Sequence, residues 1–104
     1  MKIGCVLVMY NPRQELLTTS LNSLNGQVDE IFLGDNSVNT PDFMATLLAL
    51  YPHVYYHGFN ENLGIAEAQN RGITYFQEKG FDFVLYMDQD SLAPENLVFS
   101  LLAD

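Results

Sequence analysis

The sequence predicts a single α/β domain in which a mostly parallel sheet lies between two layers of helices. Short apolar runs alternate with segments of helical spacing, so the 104 residues follow a β-α-β-α-β-α-β-α pattern. Such alternation is typical of parallel sheets with right-handed crossovers. The apolar runs are also nearly continuous, as expected for strands that are covered on both faces. The predicted architecture is therefore a Rossmann-like, three-layer α/β/α domain over residues 1–104.

The first half of the chain predicts two strand–helix units. Residues Ile3–Met9 form an apolar run rich in valine, and Pro12 favours a helix start directly after it. Leucines at helical spacing give this helix an apolar stripe, and Gly26 suits the left-handed position that ends it. The second strand, Val28–Gly34, leads to a helix with Pro41 in its first turn. The predicted apolar stripe of that helix consists of Phe43, Leu47 and Leu50.

The second half predicts two more units. A short strand over His53–Gly58 is followed by a polar loop and then by a helix over Gly64–Lys79, which Gly80 ends. Small residues on this helix allow backbone or ligand to approach closely. The fourth strand spans Phe81–Met87, and Ala93-Pro94 opens a last helix. The predicted inward side of the third helix consists of Ile65, Ala68, Gly72 and Phe76.

Composition limits the functions that this domain can have. The chain has 4 basic and 13 acidic residues, and its net charge of −9 opposes direct binding to nucleic acid or to anionic membranes. No apolar run approaches the roughly 20 residues of a membrane span. The single cysteine, Cys5, excludes an internal disulfide and fits a reducing compartment, so a cytoplasmic location is expected. A phosphorylated ligand stays compatible with an acidic chain if metal ions and helix N-termini supply a positive field.

Polar side chains follow all four predicted strands. In open parallel sheets, ligands bind beyond the carboxyl ends of the strands, where the strand order reverses. Asp88 and Asp90 follow the fourth strand, and an extended segment points residues two apart to the same side. Two carboxylates that close repel each other, so we expect a cation between them, and Mg²⁺ or Mn²⁺ prefers such oxygen ligands. The polar residues after the other strands are Tyr10, Asn11, Asp35, Asn36, Asn60 and Asn62.

Four motifs occur in a characteristic order. They are Tyr10-Asn11-Pro12, Gly34-Asp35-Asn36-Ser37, the stretch from Asn60 to Gly72, and Met87-Asp88-Gln89-Asp90-Ser91. In this order they resemble the family 2 glycosyltransferases of the GT-A fold, and the Asp-Gln-Asp-Ser form looks most like bacterial rhamnosyltransferases. The resemblance covers nearly the whole chain. It implies the nucleotide-sugar-binding half of a GT-A domain.

The resemblance also implies roles for the matching residues. Tyr10 and Asn11 would line the nucleotide pocket, and Asp35 would accept a hydrogen bond from the imide N–H of uracil or thymine. Asp88 would contact the ribose or the metal, and Asp90 would bind the Mn²⁺ or Mg²⁺ that bridges the diphosphate. The residues implied to border the nucleotide and diphosphate are Asn62, Gly64 and either Asn70 or Arg71.

The family's reaction inverts the configuration at the anomeric carbon of the transferred sugar. An acceptor hydroxyl, deprotonated by a carboxylate base, attacks the anomeric carbon while the metal neutralises the departing nucleoside diphosphate. The resemblance implies a dTDP- or UDP-sugar donor, with dTDP-rhamnose favoured, and a saccharide or lipid-linked acceptor in polysaccharide or glycolipid synthesis. Family enzymes continue past the Asp-Gln-Asp motif into an acceptor-binding half that carries the base. We therefore expect a truncated donor-binding portion that is inactive alone, self-associates through apolar surface meant for the missing half, and works at the inner face of the membrane.

Two other functions stay open from the residues alone. An apolar strand that ends in Asp-x-Asp is also the motif of haloacid-dehalogenase-like phosphatases, although these need a downstream lysine and no lysine follows Asp90. A non-catalytic nucleotide-binding or interaction module would show no metal-dependent nucleotide binding. Several candidate residues also have local explanations, namely a turn at Asp35, a helix N-cap at Asn62 and an ion pair between Arg71 and Glu67.

Overall fold

A computed structural model describes residues 1–88 of the chain, and of Asp88 it describes the backbone alone. The strands are all parallel and pair in the order β3-β2-β1-β4. The predicted parallel α/β class is therefore confirmed, while the helix predicted from Ala93-Pro94 lies outside the described residues. The elements are β1 (Ile3–Met9), α1 (Gln14–Leu24), β2 (Glu30–Asp35), α2 (Met44–Ala49), β3 (Val54–Gly58), α3 (Ile65–Glu78) and β4 (Phe83–Asp88).

Helices cover both faces of the sheet. Leucines of α1 and the buried residues of α2 pack on one face, in a core that also contains Cys5 and Leu7. Phe76 of α3 packs on the other face, against Val6 and Phe32. Burial raises the pKa of the Cys5 thiol to about 12, as suits a core residue. The predicted three-layer architecture is confirmed.

Glycine allows α3 to approach the sheet closely. A Cβ atom on Gly72 would lie 2.6 Å from the Cγ2 atom of Val6 and 3.1 Å from the Cδ1 atom of Phe32. A Cβ atom on Gly4 would lie 2.6 Å from the ring of Phe76 on the same helix. The small residue Gly72 thus serves helix–sheet packing, because it faces the sheet.

The strand order reverses beside β1. The chain proceeds from β1 to β2 and β3 on one side of β1 and then crosses to β4 on the other side. The parallel register pairs Met9 with Asp35 and Val8 with Asp88, so the carboxyl ends of these three strands lie side by side. This is the position at which open α/β sheets bind ligands.

Two helices begin later than their proline residues predict. The first starts at Gln14 and not at Pro12, because Asn11 adopts a left-handed φ of 45° and Arg13 remains extended. The second starts at Met44, three residues after Pro41, and a backbone hydrogen bond from Met44 to Pro41 closes the turn between them.

Two residues predicted to be inward-facing are exposed. Leu50 is 73% exposed because α2 ends at Ala49, and Met44 takes the buried position instead. Ile65 is 65% exposed because it is the first residue of α3 and lies at the carboxyl-end rim of the sheet. The predictions for Ala68 and Phe76 on the same helix are confirmed, since both are fully buried.

Candidate functional site

A cleft of about 390 Å³ opens at the carboxyl ends of the strands. It lies where the ends of β1 and β2 meet the start of α3. Three of the predicted site residues, Tyr10, Asn62 and Gly64, line it. Its lining residues are Val8, Met9, Tyr10, Asn36, Asn62, Gly64 and Ile65.

The loop after β1 forms one wall of the cleft. Tyr10 lines the cleft and is 51% exposed. Asn11 has a left-handed φ of 45°, which asparagine adopts more readily than most residues, and a contact with a neighbouring loop supports it here. The support comes from Ser37, whose Oγ atom accepts a 2.6 Å hydrogen bond from the Asn11 backbone N–H. Asn11 itself is exposed beside the cleft.

Asp35 lies behind this wall, at the end of β2. Its side chain is 1% exposed. Its Oδ1 atom accepts a 2.9 Å hydrogen bond from the backbone N–H of Ser37, and its Oδ2 atom accepts a 2.6 Å hydrogen bond from the Tyr56 hydroxyl. The predicted turn at Asp35 is confirmed by the contact with Ser37, and its base contact stays a prediction.

Asn36 joins the end of β2 to the loop before α3. Its Oδ1 atom accepts a 3.0 Å hydrogen bond from the Leu63 backbone N–H, and its Nδ2 atom donates a 3.3 Å hydrogen bond to the Gly64 carbonyl. The Asn36 backbone N–H also donates to the Met9 carbonyl at 2.7 Å. The side chain of Asn36 thus holds the Leu63–Gly64 segment, called here the far wall of the cleft, while its backbone binds the end of β1.

The far wall leads directly into α3. Asn62 accepts a 2.9 Å hydrogen bond from the Gly64 backbone N–H, so it closes a tight turn and is not the N-cap that its residue type predicts. Gly64 is the N-cap residue, with φ 83° and ψ 164°, a conformation that favours glycine. The first N–H groups of a helix have no acceptor within the helix and attract anions. The start of α3 therefore brings partial positive charge to the cleft.

The predicted metal ligands lie at or beyond the end of the described structure. The side chain of Asp88 and all of Asp90 are outside the described residues. Among the residues that are described, no three histidine, cysteine or acidic side chains come together to hold a metal ion. The backbone of Asp88 pairs with Val8, which lines the cleft, so β4 ends beside the cleft.

The structure does not bring Asn70 or Arg71 to the cleft. Asn70 is exposed on α3, beyond the residues that line it. Arg71 forms a 2.9 Å ion pair with Glu67, which confirms the predicted i,i+4 contact. Arg71 instead borders a second, shallower groove of about 210 Å³, called here the aromatic groove. The residues of the aromatic groove are Phe32, Tyr55, His57, Arg71, Thr74, Tyr75 and Glu78.

The sequence placed Asn36 among the polar residues at the carboxyl ends of the strands without predicting its contacts. It predicted Ile65 to face inward, and it indicated no role in the site for Tyr56. Asn36 stands next to Asp35 in a polar triplet, and that position was a usable signal. Tyr56 offers no such signal, because its contact with Asp35 depends on the register that pairs Leu33 with Tyr56 across β2 and β3. Ile65 lines the cleft because α3 begins at the rim of the sheet.

The fold and the cleft define an open parallel α/β protein whose candidate ligand site lies at the reversal of strand order. The chain belongs to glycosyl transferase family 2, whose family model matches residues 5–104. This confirms the resemblance seen in the four motifs and the GT-A type of fold. It also removes the support for a phosphatase, which rested on the Asp-x-Asp motif alone.

The chain is also similar to a protein named as a rhamnosyl transferase. The chain is 36% identical over 89 residues to the dTDP-rhamnosyl transferase RfbF of Shigella flexneri. The aligned residues make up 86% of this chain and 29% of that protein, so the chain spans less than a third of the relative's length. In the described part of the chain, no helix is both long enough and apolar enough to cross a lipid bilayer.

Proposed function

We propose that this chain is the donor-binding part of a metal-dependent, inverting glycosyltransferase. The observation that carries the proposal is the cleft itself, which three of the family's motifs enclose at the reversal of strand order. The nucleobase would lie against the wall of the cleft that Tyr10 forms, and Asp35 would lie behind that wall. The diphosphate would lie at the start of α3, where unpaired N–H groups favour negative charge.

The charge of the cleft supports a requirement for a metal ion. In the described part of the chain, none of the residues that line the cleft is lysine or arginine. The negative charges of a nucleoside diphosphate therefore need another partner, and one helix terminus supplies only about half an elementary charge. Carboxylate oxygens are the donors that Mn²⁺ and Mg²⁺ prefer. Asp88, whose backbone pairs with Val8 at the cleft, and Asp90 would hold the ion.

The residues and the metal divide the work in the proposed reaction. When bound, the metal neutralises the charge that develops on the departing nucleoside diphosphate. The chain's own residues bind and orient the donor, with Tyr10 covering the base and the Asn62–Gly64 turn placing the start of α3 at the phosphates. The catalytic base that deprotonates the acceptor hydroxyl would belong to an acceptor-binding portion outside residues 1–104. This chain alone would therefore not catalyse sugar transfer.

The relative's printed name supports the choice of donor. Because that protein is a dTDP-rhamnosyl transferase, we assign dTDP-rhamnose as the donor here, with a saccharide or lipid-linked acceptor in polysaccharide synthesis. The single cysteine favours action in a reducing compartment, for which we propose the cytoplasm. A peripheral position at the inner face of the membrane stays a prediction. Self-association through apolar surface stays a prediction.

Thermal unfolding with nucleotides tests the proposed function. We expect dTDP to stabilise the chain when Mn²⁺ is present, by about 2.7 kcal/mol at 100 times its dissociation constant. Asp90→Ala should lose the metal-dependent part of this stabilisation. The matched control is Asp42→Ala, which removes an equal charge at an exposed position near α2.

Each outcome has one meaning. Stabilisation by dTDP or UDP that needs Mn²⁺ and Asp90 supports the transferase. Stabilisation by nucleotide that depends neither on Mn²⁺ nor on Asp90 would contradict the metal-dependent mechanism. An absence of nucleotide stabilisation in the parent chain would favour a non-catalytic module.

A further inference from the structure

We infer that Tyr56, on β3, is a positioning residue for the cleft, because its hydroxyl holds the Asp35 carboxylate and thereby fixes the loop that carries Tyr10. This inference rests on the proposed function, since it assigns Tyr56 an effect on nucleotide binding. None of the four family motifs contains Tyr56, and it does not line the cleft. Its effect on a ligand must therefore pass through other residues.

The first link is the contact between Tyr56 and Asp35. The Tyr56 hydroxyl donates a 2.6 Å hydrogen bond to the Oδ2 atom of Asp35, a carboxylate that is 1% exposed. A buried carboxylate depends on its hydrogen-bond donors, because water cannot replace them. The other oxygen of Asp35 accepts from the Ser37 backbone N–H, so two donors from different elements fix its orientation.

The second link runs from Asp35 to the cleft wall. Asp35 holds the backbone of Ser37, and the Oγ atom of Ser37 accepts the 2.6 Å hydrogen bond from the Asn11 N–H. Asn11 has a left-handed φ of 45°, which asparagine tolerates better than most residues, and the hydrogen bond from its N–H to Ser37 holds the backbone in this position. Tyr10 precedes Asn11 directly and lines the cleft. Three hydrogen bonds therefore connect Tyr56 on β3 to the loop after β1.

The phenol is suited to act as a permanent donor. Burial first, and then the Asp35 carboxylate, raise the pKa of Tyr56 to about 12, although a hydrogen bond with Thr40 acts in the opposite direction. Tyr56 therefore stays protonated, and keeps its donor, at physiological pH. Gly58 leaves room for the hydroxyl, since a Cβ atom there would lie 3.0 Å from the Tyr56 oxygen.

Tyr56→Phe removes this donor and keeps the ring. The matched control is Tyr55→Phe, which deletes the same atom from the next residue, whose ring is 42% exposed and stacks on Tyr75 on the opposite face of the sheet. We expect the dissociation constant of dTDP to rise about tenfold in Tyr56→Phe, in line with a lost hydrogen bond to a charged group. We expect no change in Tyr55→Phe.

A second measurement separates positioning from general loss of stability. Amide hydrogen exchange by NMR should show the Asn11 and Ser37 amides exchanging faster in Tyr56→Phe, while the core amide of Leu7 exchanges as in the parent. Ser37→Ala breaks the last link and keeps the Tyr56–Asp35 contact. If the links act in series, adding Tyr56→Phe to Ser37→Ala should weaken dTDP binding no further.

Unchanged dTDP affinity and unchanged exchange at Asn11 in Tyr56→Phe would overturn the inference. Faster exchange at Asn11 only in proportion to that at Leu7 would also overturn it, because the effect would then be global. A parent chain that binds no dTDP would instead overturn the proposed function. The two failures are therefore distinct.

Discussion

Replacing Asn36 with alanine is expected to destabilise the domain by about 2 kcal/mol, because its buried side chain loses two hydrogen bonds to partly buried backbone groups. These groups are the Leu63 N–H and the Gly64 carbonyl, which Asn36 joins to the end of β2. The same change frees the far wall of the cleft, so dTDP affinity should fall by at least about tenfold. Denaturant unfolding measures the first effect and calorimetric titration with dTDP the second. The matched control is Asn39→Ala at an exposed position.

The variant Asn36→Asp makes this prediction sharper. A carboxylate still accepts the hydrogen bond from the Leu63 N–H, but it has no donor for the Gly64 carbonyl and repels that oxygen. We therefore expect Asn36→Asp to be as harmful as Asn36→Ala, although it is nearly the same size as asparagine. Parent-like stability and affinity in Asn36→Asp would contradict the account of this contact.

Gly72→Ala is expected to destabilise the domain by about 1–3 kcal/mol, because the added methyl group overpacks the interface between α3 and the sheet. Its Cβ atom would lie 2.6 and 2.7 Å from the two Cγ atoms of Val6. Alanine favours a helix interior over glycine by about 1 kcal/mol. The measured loss of stability is therefore smaller than the steric cost of the added methyl group. The melting temperature should fall by about 4–8 °C for each kcal/mol lost in a domain of this size.

Gln77→Ala serves as the control for Gly72→Ala. Gln77 is exposed on the same helix, so its replacement should leave stability unchanged or slightly raised. Since Gly72 does not line the cleft, Gly72→Ala should bind dTDP with parent affinity well below its melting temperature. An increase in stability of about 1 kcal/mol in Gly72→Ala would contradict the close packing of α3 on the sheet.

Most of the fold follows from local patterns in the sequence. An apolar run was enough to predict the Ile3–Met9 strand. The position of Gly26 after the apolar stripe of a helix was enough to predict its left-handed conformation. The late start of α1 could not be predicted in this way. Pro12 suits a first helical position, but the hydrogen bond from Asn11 to Ser37 joins residues 26 apart in sequence and outweighs that preference.

The candidate site was predictable in its position but not in its internal contacts. Parallel strands bring their carboxyl ends together, and this alone placed Tyr10 and Asp35 at one edge of the sheet. That Asp35 is buried, with both oxygens bonded within the protein, depends on how Tyr56 reaches across from β3. The distance between Asn70 and the cleft likewise depends on where α3 begins. A sequence motif indicates which residue types lie at the site, whereas the pairing register of the strands determines which residues they contact.

A nucleoside diphosphate is proposed to bind in the cleft at the end of β1 and β2. Amide chemical-shift mapping during titration with dTDP and Mg²⁺ tests this proposal most directly. We predict the largest shifts in three segments that surround the cleft, namely residues 9–11, 35–37 and 62–65. Shifts concentrated in the aromatic groove, around Tyr55 and Tyr75, or no shifts at saturating dTDP, would contradict the claim.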